Sequence, residues 1–361
     1  MDRRGFMTTA AATALVPVAG SARAADEPVW VRLPTEPYRG KQDDVVFVDG
    51  QTGWYGNGLG RLFKTTDGGQ TWVKQMDQPG TFVRALGFID AQTGFLGNIG
   101  PDYFPNVSDT VPLYRTRDGG QTWTPVEIQG PAVTGICAIH VHRQPFINAG
   151  VLDHRVTIRA GGRVGGPAQL VTSRDGGDTW VSEDLSALTA MILDIVFVSD
   201  QVGFIAGASD RDVQKSRAVI LRTGDGGRTW ARVHEGARDW DLTWKIAFPT
   251  EAVGYVTIQS YNPDTTVSQR VFAKTTDGGL TWSERPLIDD ARVRAFGVGF
   301  VDEQRGWIGA VPNGLETRDG GATWAPAPMG VGVNKVRVVS GPEGVSVFAI
   351  GLELHRLDLP G

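Results

Sequence analysis

Apolar residues in this chain fall into short runs. Val45-Val46-Phe47-Val48, Phe82 to Ile89, Ile195-Val196-Phe197-Val198, Ile246-Ala247-Phe248 and Val298-Gly299-Phe300-Val301 are near-continuous, and polar or turn residues close them. Such runs predict strands packed against neighbours on both faces. Each is followed by further short segments. In the stretch 82–126 the predicted strands are Phe82 to Ile89, Gly94 to Asn98, Pro112 to Thr116 and Trp123 to Val126.

One turn recurs between the last two strands of each group. Thr65-Thr66-Asp67-Gly68-Gly69-Gln70-Thr71-Trp72 returns as Thr116 to Trp123, Ser173 to Trp180, Thr223 to Trp230, Thr275 to Trp282 and Thr317 to Trp324. The spacing is about 50 residues, the length of a four-stranded propeller blade. Asp-Gly-Gly between apolar segments is hairpin chemistry: the glycines take positive φ and the aspartate bonds nearby backbone N–H groups. A carboxylate satisfied by its own turn is poorly placed for catalysis or metal binding, so the six aspartates read as structural. The [S/T]-x-D-G-G-x-T-W unit resembles the Asp-box, the bacterial neuraminidase repeat of β-propellers.

Both ends bear on the blade count. After the sixth box, Val336 to Val339, Val345 to Ile350 and Leu352 to Leu357 predict three strands with no box and no fourth strand. Val29 to Pro34 is an orphan strand resembling the Thr71-Trp72-Val73-Lys74 start. Joining the two predicts an all-β, seven-bladed propeller, with the N-terminal strand completing the last blade and removing the open sheet edges. Residues 25–361 are read as one domain.

Residues 1–24 are read apart from that domain. Arg3-Arg4, an apolar stretch to Ala19 and Ser21-Ala22-Arg23-Ala24 form the pattern of a twin-arginine export signal, with a stretch too short to span a bilayer. The expectation is a periplasmic or secreted protein with no membrane span after signal removal, and a monomer. Composition narrows the partners. Lys+Arg 35 against Asp+Glu 40 gives a net charge of −5, which argues against nucleic acid. A single cysteine excludes a disulfide framework and any multi-cysteine metal site.

Candidate chemistry lies on one face of the predicted ring. The connections Gly97–Pro112, Asn148–Ala168, Ala208–Ala218 and Gln259–Val271 are long and read as loops between second and third strands. They contain Asp102-Tyr103-Phe104, Asp153-His154-Arg155, Arg159, Arg163, Asp210-Arg211-Asp212 and Tyr261-Asn262. Counting three residues back from each inner-strand phenylalanine or its equivalent gives Asp44, Ala85, Ile136, Asp194, Lys245, Gly297 and Lys335, a channel wall of mixed sign. Asp194 and Lys245 are predicted neighbours. One position nearer the mouth stand Arg84 and Trp244, and Trp240, Asp241, Arg292 and Arg294 enter the strands of blades five and six. Arginines beside aromatics suit carboxylates, sugars or a protein hot spot, so Arg84, Trp240, Asp241, Trp244, Lys245, Arg292 and Arg294 form the candidate binding arc. His140, His142 and His154 would need to converge to hold a metal, and Cys137 has no evident histidine partner. No metal and no cofactor is expected.

Over residues 28–361 the chain resembles the photosystem II stability/assembly factor-like propellers, whose pattern is F-x-D…G-[WF]-x-x-G…G-x-[IL]-x-x-T-x-D-G-G-x-T-W. Phe47, Asp49, Gly53, Trp54, Gly56, Gly60, Leu62, Thr65, Asp67 and Trp72 follow it, as do Phe300, Asp302, Gly306, Trp307, Gly314, Leu315, Thr317, Asp319 and Trp324. That resemblance implies a non-enzymatic, extracytoplasmic scaffold binding a protein partner, a membrane-protein complex included, through one propeller face. The alternative is a glycoside hydrolase acting on extracellular glycans, of the sialidase type or xyloglucanase-like. Arg32-Leu33-Pro34 is near the first sialidase motif, but it falls on the closing strand, and no Tyr–Glu pairing is discernible among the tyrosines.

Overall fold

The computed structural model describes residues 27–341 and 344–361. The export-signal segment 1–24 lies outside the described residues. Seven four-stranded antiparallel sheets make up the described fold. Blade one is Gln42–Phe47, Gly53–Asn57, Arg61–Thr65 and Val73–Asp77, innermost strand first. Blades two to six follow in chain order, and blade seven takes Lys335–Gly341, Gly344–Ile350 and Leu354–Pro360. Its outer strand is Val31–Leu33, paired Val31 to Arg356 and Leu33 to Leu354. The innermost strands of consecutive blades touch all the way round, blade seven against blade one included. The all-β, seven-bladed reading and its N-terminal closure are therefore the observed fold.

The repeated residues have local jobs. In the second box Thr116 Oγ1 donates to Asp118 Oδ1 (2.8 Å) and accepts from Gly120 N (2.9 Å). Asp118 accepts the backbone N–H and hydroxyl of Thr122 at 2.9 and 2.6 Å. Gly119 and Gly120 stand at φ 72° and 98°, which a side chain would resist. The bonds from Thr122 hold the Asp118 carboxyl down at about 2.

The aromatic positions join the blades. Trp54 stacks on Phe88 of the next blade at 3.6 Å between centroids, and its indole N–H donates to Gly119 O. Tyr255 on Phe300 (3.6 Å) and Phe204 on Phe248 (4.4 Å) repeat the contact. Phe348 on Phe47 (3.8 Å) carries it across the closure between blades seven and one. Five of the six box tryptophans meet the phenylalanine of their own blade edge-on, as Trp72 does Phe47 and Trp123 does Phe88, while Trp180 of blade three meets Phe95 of blade two. Gly53 is required because the Phe47 ring lies across it: a Cβ there would sit 2.5 Å from that ring.

Blade three departs from the reading. Its first two strands are Ala138–Asn148 and Val151–Gly162, so Asn148–Ala168 is not a loop between second and third strands. Asp153, His154, Arg155 and Arg159 lie on the second strand, and only Arg163 sits on the true connection to Gln169–Ser173. The reason is local: Ala149 (φ 49°) and Gly150 (φ 81°) form a two-residue turn with both φ positive, the geometry that closes a twisted hairpin. The pairing also shifts the register. Val141 opposite Ile158 occupies the position held elsewhere by phenylalanine, as Phe47 opposite Gly53 does, so Ala138 rather than Ile136 stands at the counted position.

Candidate binding site at the channel mouth

The inner strands are not straight. Pairing with the second strand slips between Gln42 and Asp44, Val83 and Ala85, Ile192 and Asp194, Thr243 and Ile246, and Ala295 and Val298. These are bulges, which re-aim a side chain out of the ladder. The residue four before each phenylalanine position falls at the bulge or its equivalent, giving a ring of Asp43, Arg84, Cys137, Leu193, Trp244, Phe296 and Asn334. One layer deeper stand Asp44, Ala85, Ala138, Asp194, Lys245, Gly297 and Lys335.

The outer ring is tightly bonded. Arg84 Nη1 donates to Asp43 Oδ1 at 2.6 Å, with both side chains only 6% exposed. The guanidinium lies 5.4 Å from the Trp244 ring, and the Trp244 indole N–H donates to Asn334 Oδ1 at 2.9 Å. Burial alone would weaken the charge on Arg84; Asp43 first, then the Cys137 thiol, more than offset it and leave it firmly cationic. Arg84 Nε is buried with no hydrogen-bond partner among the described residues. Lys41 sits 4.3 Å over the Phe296 ring, and burial lowers its ammonium to about 8 against the pull of Asp43.

Above this ring opens a cavity of about 360 Å³ lined by Tyr38, Lys41, Asp43, Phe82, Arg84, Tyr103, Phe104, Trp244, Tyr261 and Phe296, among others. The long loops of blades two and five fold over it. Phe104 stacks on Phe82 at 4.9 Å, and Tyr261 lies 5.4 Å from the Arg294 guanidinium. Burial raises the Tyr261 hydroxyl to about 12 and keeps it protonated as a donor. The wall is thus aromatic, with three cations (Lys41, Arg84, Arg294) on or beside it and one carboxylate, Asp43, already bonded to Arg84.

The deeper layer is a buried ion-pair network. Lys245 Nζ lies 3.6 Å from Asp194, Lys335 Nζ lies 3.5 Å from Asp194 and 3.6 Å from Asp44, and Arg337 pairs with Asp44 at 3.0 Å. Burial lowers the Lys245 ammonium to about 7, although Asp194 opposes it.

The candidate arc therefore divides. Arg84 and Trp244 share the cavity wall, Arg294 stands over its rim and Lys245 lies beneath it. Asp241 is buried against Arg238 (2.5 Å), and Arg292 is exposed and paired with Asp290 (2.7 Å); neither lines the cavity. Trp240 has φ 69° and accepts from Tyr261 N through its carbonyl, so its backbone fixes the loop that carries Tyr261. Tyr38, Lys41, Asp43 and Phe296 were not singled out by the sequence. For Asp43 the signal was the pair of acids Asp43-Asp44, of which a regular strand points only one to a given side. The His140 ring accepts from Phe197 N (3.2 Å), His142 contacts Asp200 (2.9 Å) and His154 stands on the blade-three hairpin.

The described strands match known proteins as follows. The BNR/Asp-box repeat model matches residues 114–125. A xyloglucanase of Paenibacillus sp is 29% identical over 217 residues, 50% of this chain and 19% of that protein, so the chain spans about a fifth of the length of that relative. A solved structure of YCF48 bound to D1 peptide superposes with a TM-score of 0.60 at 15% identity, covering 94% of this chain and 97% of that one. The GH74 enzyme of Niastella koreensis gives 0.58 at 16% identity, covering 88% of this chain and 52% of that one. The chain carries a BNR/Asp-box repeat on a seven-bladed β-propeller, similar in fold to the YCF48 structure.

Proposed function

We propose that this protein is a non-enzymatic binding propeller that takes an extended segment of a protein partner into the cavity at the channel mouth. One observation carries the reading: among the described residues the aromatic wall holds two cations, Lys41 and Arg84, with Arg294 at its rim, against a single carboxylate, in a chain whose net charge is −5. An anionic group set among apolar residues matches that surface, and a peptide carboxylate or acidic side chain beside an aromatic or aliphatic residue supplies both. The YCF48 structure with D1 peptide supports a peptide as the ligand class for a ring of this shape.

A second reading, glycoside hydrolysis, draws on the xyloglucanase and GH74 likenesses. That chemistry uses two carboxyl groups flanking the bond, about 5–10 Å apart. Among the described residues the cavity wall offers Asp43 alone, tied to Arg84. The peptide reading is preferred on that ground.

Selection from a displayed random-peptide library tests it. Wild-type protein is expected to enrich acidic peptides with a neighbouring aromatic or aliphatic residue, and Trp244→Ala is expected to lose them. Equal enrichment by both proteins would refute the cavity as the site. Release of reducing sugar from xyloglucan, abolished in Asp43→Asn, would establish the second reading instead.

A further inference from the structure

The blade-three hairpin has no counterpart in the other blades. Its strands stay paired from Ala138–Gly161 out to Asn148–Val151, whereas the next strand of the blade, Gln169–Ser173, stops pairing at Ile158. The first strands of the other blades run six or seven residues; this one runs 11 and its partner 12. Val156 still touches the box turn, accepting from Gly176 N. From there the hairpin extends about 15 Å further, at about 3.3 Å per residue, and Phe146, His154 and Arg155 line a pocket with Arg174, Asp175 and Gly176 of the box turn. It leaves on the face of the box turns, opposite the cavity.

Its tip carries apolar side chains on both sides, with Asn148 and Asp153 beside them on one. Paired residues share a face, so Phe146 and Val151 project from one and Ile147 and Leu152 from the other. They are 38, 67, 69 and 62% exposed in the order Phe146, Val151, Ile147, Leu152. Behind the tip the character changes to cationic. Arg155 lies 5.9 Å from the Phe146 ring, Arg143 and His154 occupy the other face, and Arg174 adjoins the base. The nearby acids are Asp153, and Asp175, which its own box turn engages.

We propose that this hairpin is a membrane-contact element, its tip seated in the interfacial layer of an anionic bilayer with its arginines at the headgroups. Two features favour a lipid surface over a protein groove. A protein partner packs one face of a hairpin, whereas apolar side chains on both faces suit a medium that surrounds the tip. The axial order, apolar end then arginine and histidine, is the order of a bilayer interface. The unpaired backbone edges limit insertion to the tip, because open strand edges are not tolerated in the hydrocarbon. This inference is independent of what the cavity binds.

Co-sedimentation with vesicles of equal parts phosphatidylcholine and phosphatidylglycerol tests it. The wild-type protein is expected to partition to the vesicles. Ile147→Ser/Leu152→Ser is expected to lower the partition coefficient about ten-fold or more, and Arg143→Gln/Arg155→Gln to lower it only on the anionic vesicles, not on pure phosphatidylcholine. Ile147 and Leu152 are exposed and Arg143 gives up only its bond to the Ile89 carbonyl, so thermal melting checks that both variants keep the fold. No wild-type binding to the anionic vesicles, or binding unaltered in the serine variant, would overturn the proposal. Tip-dependent self-association without lipid binding would overturn it too and make the hairpin a protein contact.

Discussion

Replacing Asp43 by Asn removes the charge that Arg84 faces without removing the acceptor. The two side chains are 6% exposed and 2.6 Å apart, so the pair is shielded from water and salt. At an effective dielectric of about 20 the gross attraction at that distance is roughly 6 kcal/mol, most of it offset by the desolvation of both ions. Deleting one charge forfeits the attraction and keeps the desolvation, which costs about 3–5 kcal/mol for a buried pair. The lower end applies, because the substituted amide still accepts a hydrogen bond and because Lys41, already lowered to about 8, sheds its proton more readily once Asp43 is gone. In a domain of this size a loss of about 3 kcal/mol lowers Tm by about 4 °C. Adding Arg84→Met removes the stranded charge and is expected to restore all but about 1 kcal/mol, as replacing a whole buried pair with apolar groups does. Urea denaturation of the wild type, both single variants and the double variant gives the coupling energy directly. A single Asp43→Asn variant within about 0.5 kcal/mol of wild type, or a double variant with the full sum of the single losses, would refute the buried-pair reasoning.

Three more outcomes follow from the geometry. Gly53→Ala would drive a Cβ to 2.5 Å from the Phe47 ring and is expected to destabilise by about 1–3 kcal/mol, read by urea denaturation. The box aspartates Asp67, Asp118, Asp277 and Asp319 are held at about 2, below their unfolded value of 3.8, so their contribution is full above pH 3.8 and lost as pH falls through about 2. Tm is expected to fall between those pH values, and to fall less when these four are Asn. Lys245 is lowered to about 7 from 10.5, so the unfolded chain holds its proton more tightly and this group adds stability as pH rises from about 7 to about 10. The Tm of wild type relative to Lys245→Met is expected to rise over that range; a constant difference would show that Lys245 does not titrate there.

The sequence made the ring legible because each blade repeats its own local chemistry. Asp118, Gly119, Gly120 and Thr122 fix a turn with bonds that never leave it, and Trp54 on Phe88 explains why an aromatic follows each glycine. The orphan strand Val31–Leu33 was placed by counting, and its register on Leu354–Pro360 bears that out. The site was harder. Alternation along a strand gave the layer of Asp44, Asp194 and Lys335, with Asp194 and Lys245 as neighbours. It could not show that bulges turn Asp43 and Phe296 toward the mouth beside Arg84 and Trp244. Blade three was misread for the opposite reason: Asn148-Ala149-Gly150 is turn chemistry, but with histidines, arginines and Pro145 around it the two long strands looked like a loop.

The central claim is that the channel mouth, through Arg84 and Trp244, holds a partner's peptide segment. The most direct measurement is affinity capture from extracytoplasmic and membrane fractions, comparing the wild type with a Trp244→Ala variant and the Asp43→Asn/Arg84→Met pair that keeps the fold. The account predicts a specific protein captured by the wild type and lost from both variants, while a control change on the opposite face, Arg117→Ala, keeps it. Capture that survives both mouth variants and is lost with Arg117→Ala would contradict it and move the partner to the face of the box turns.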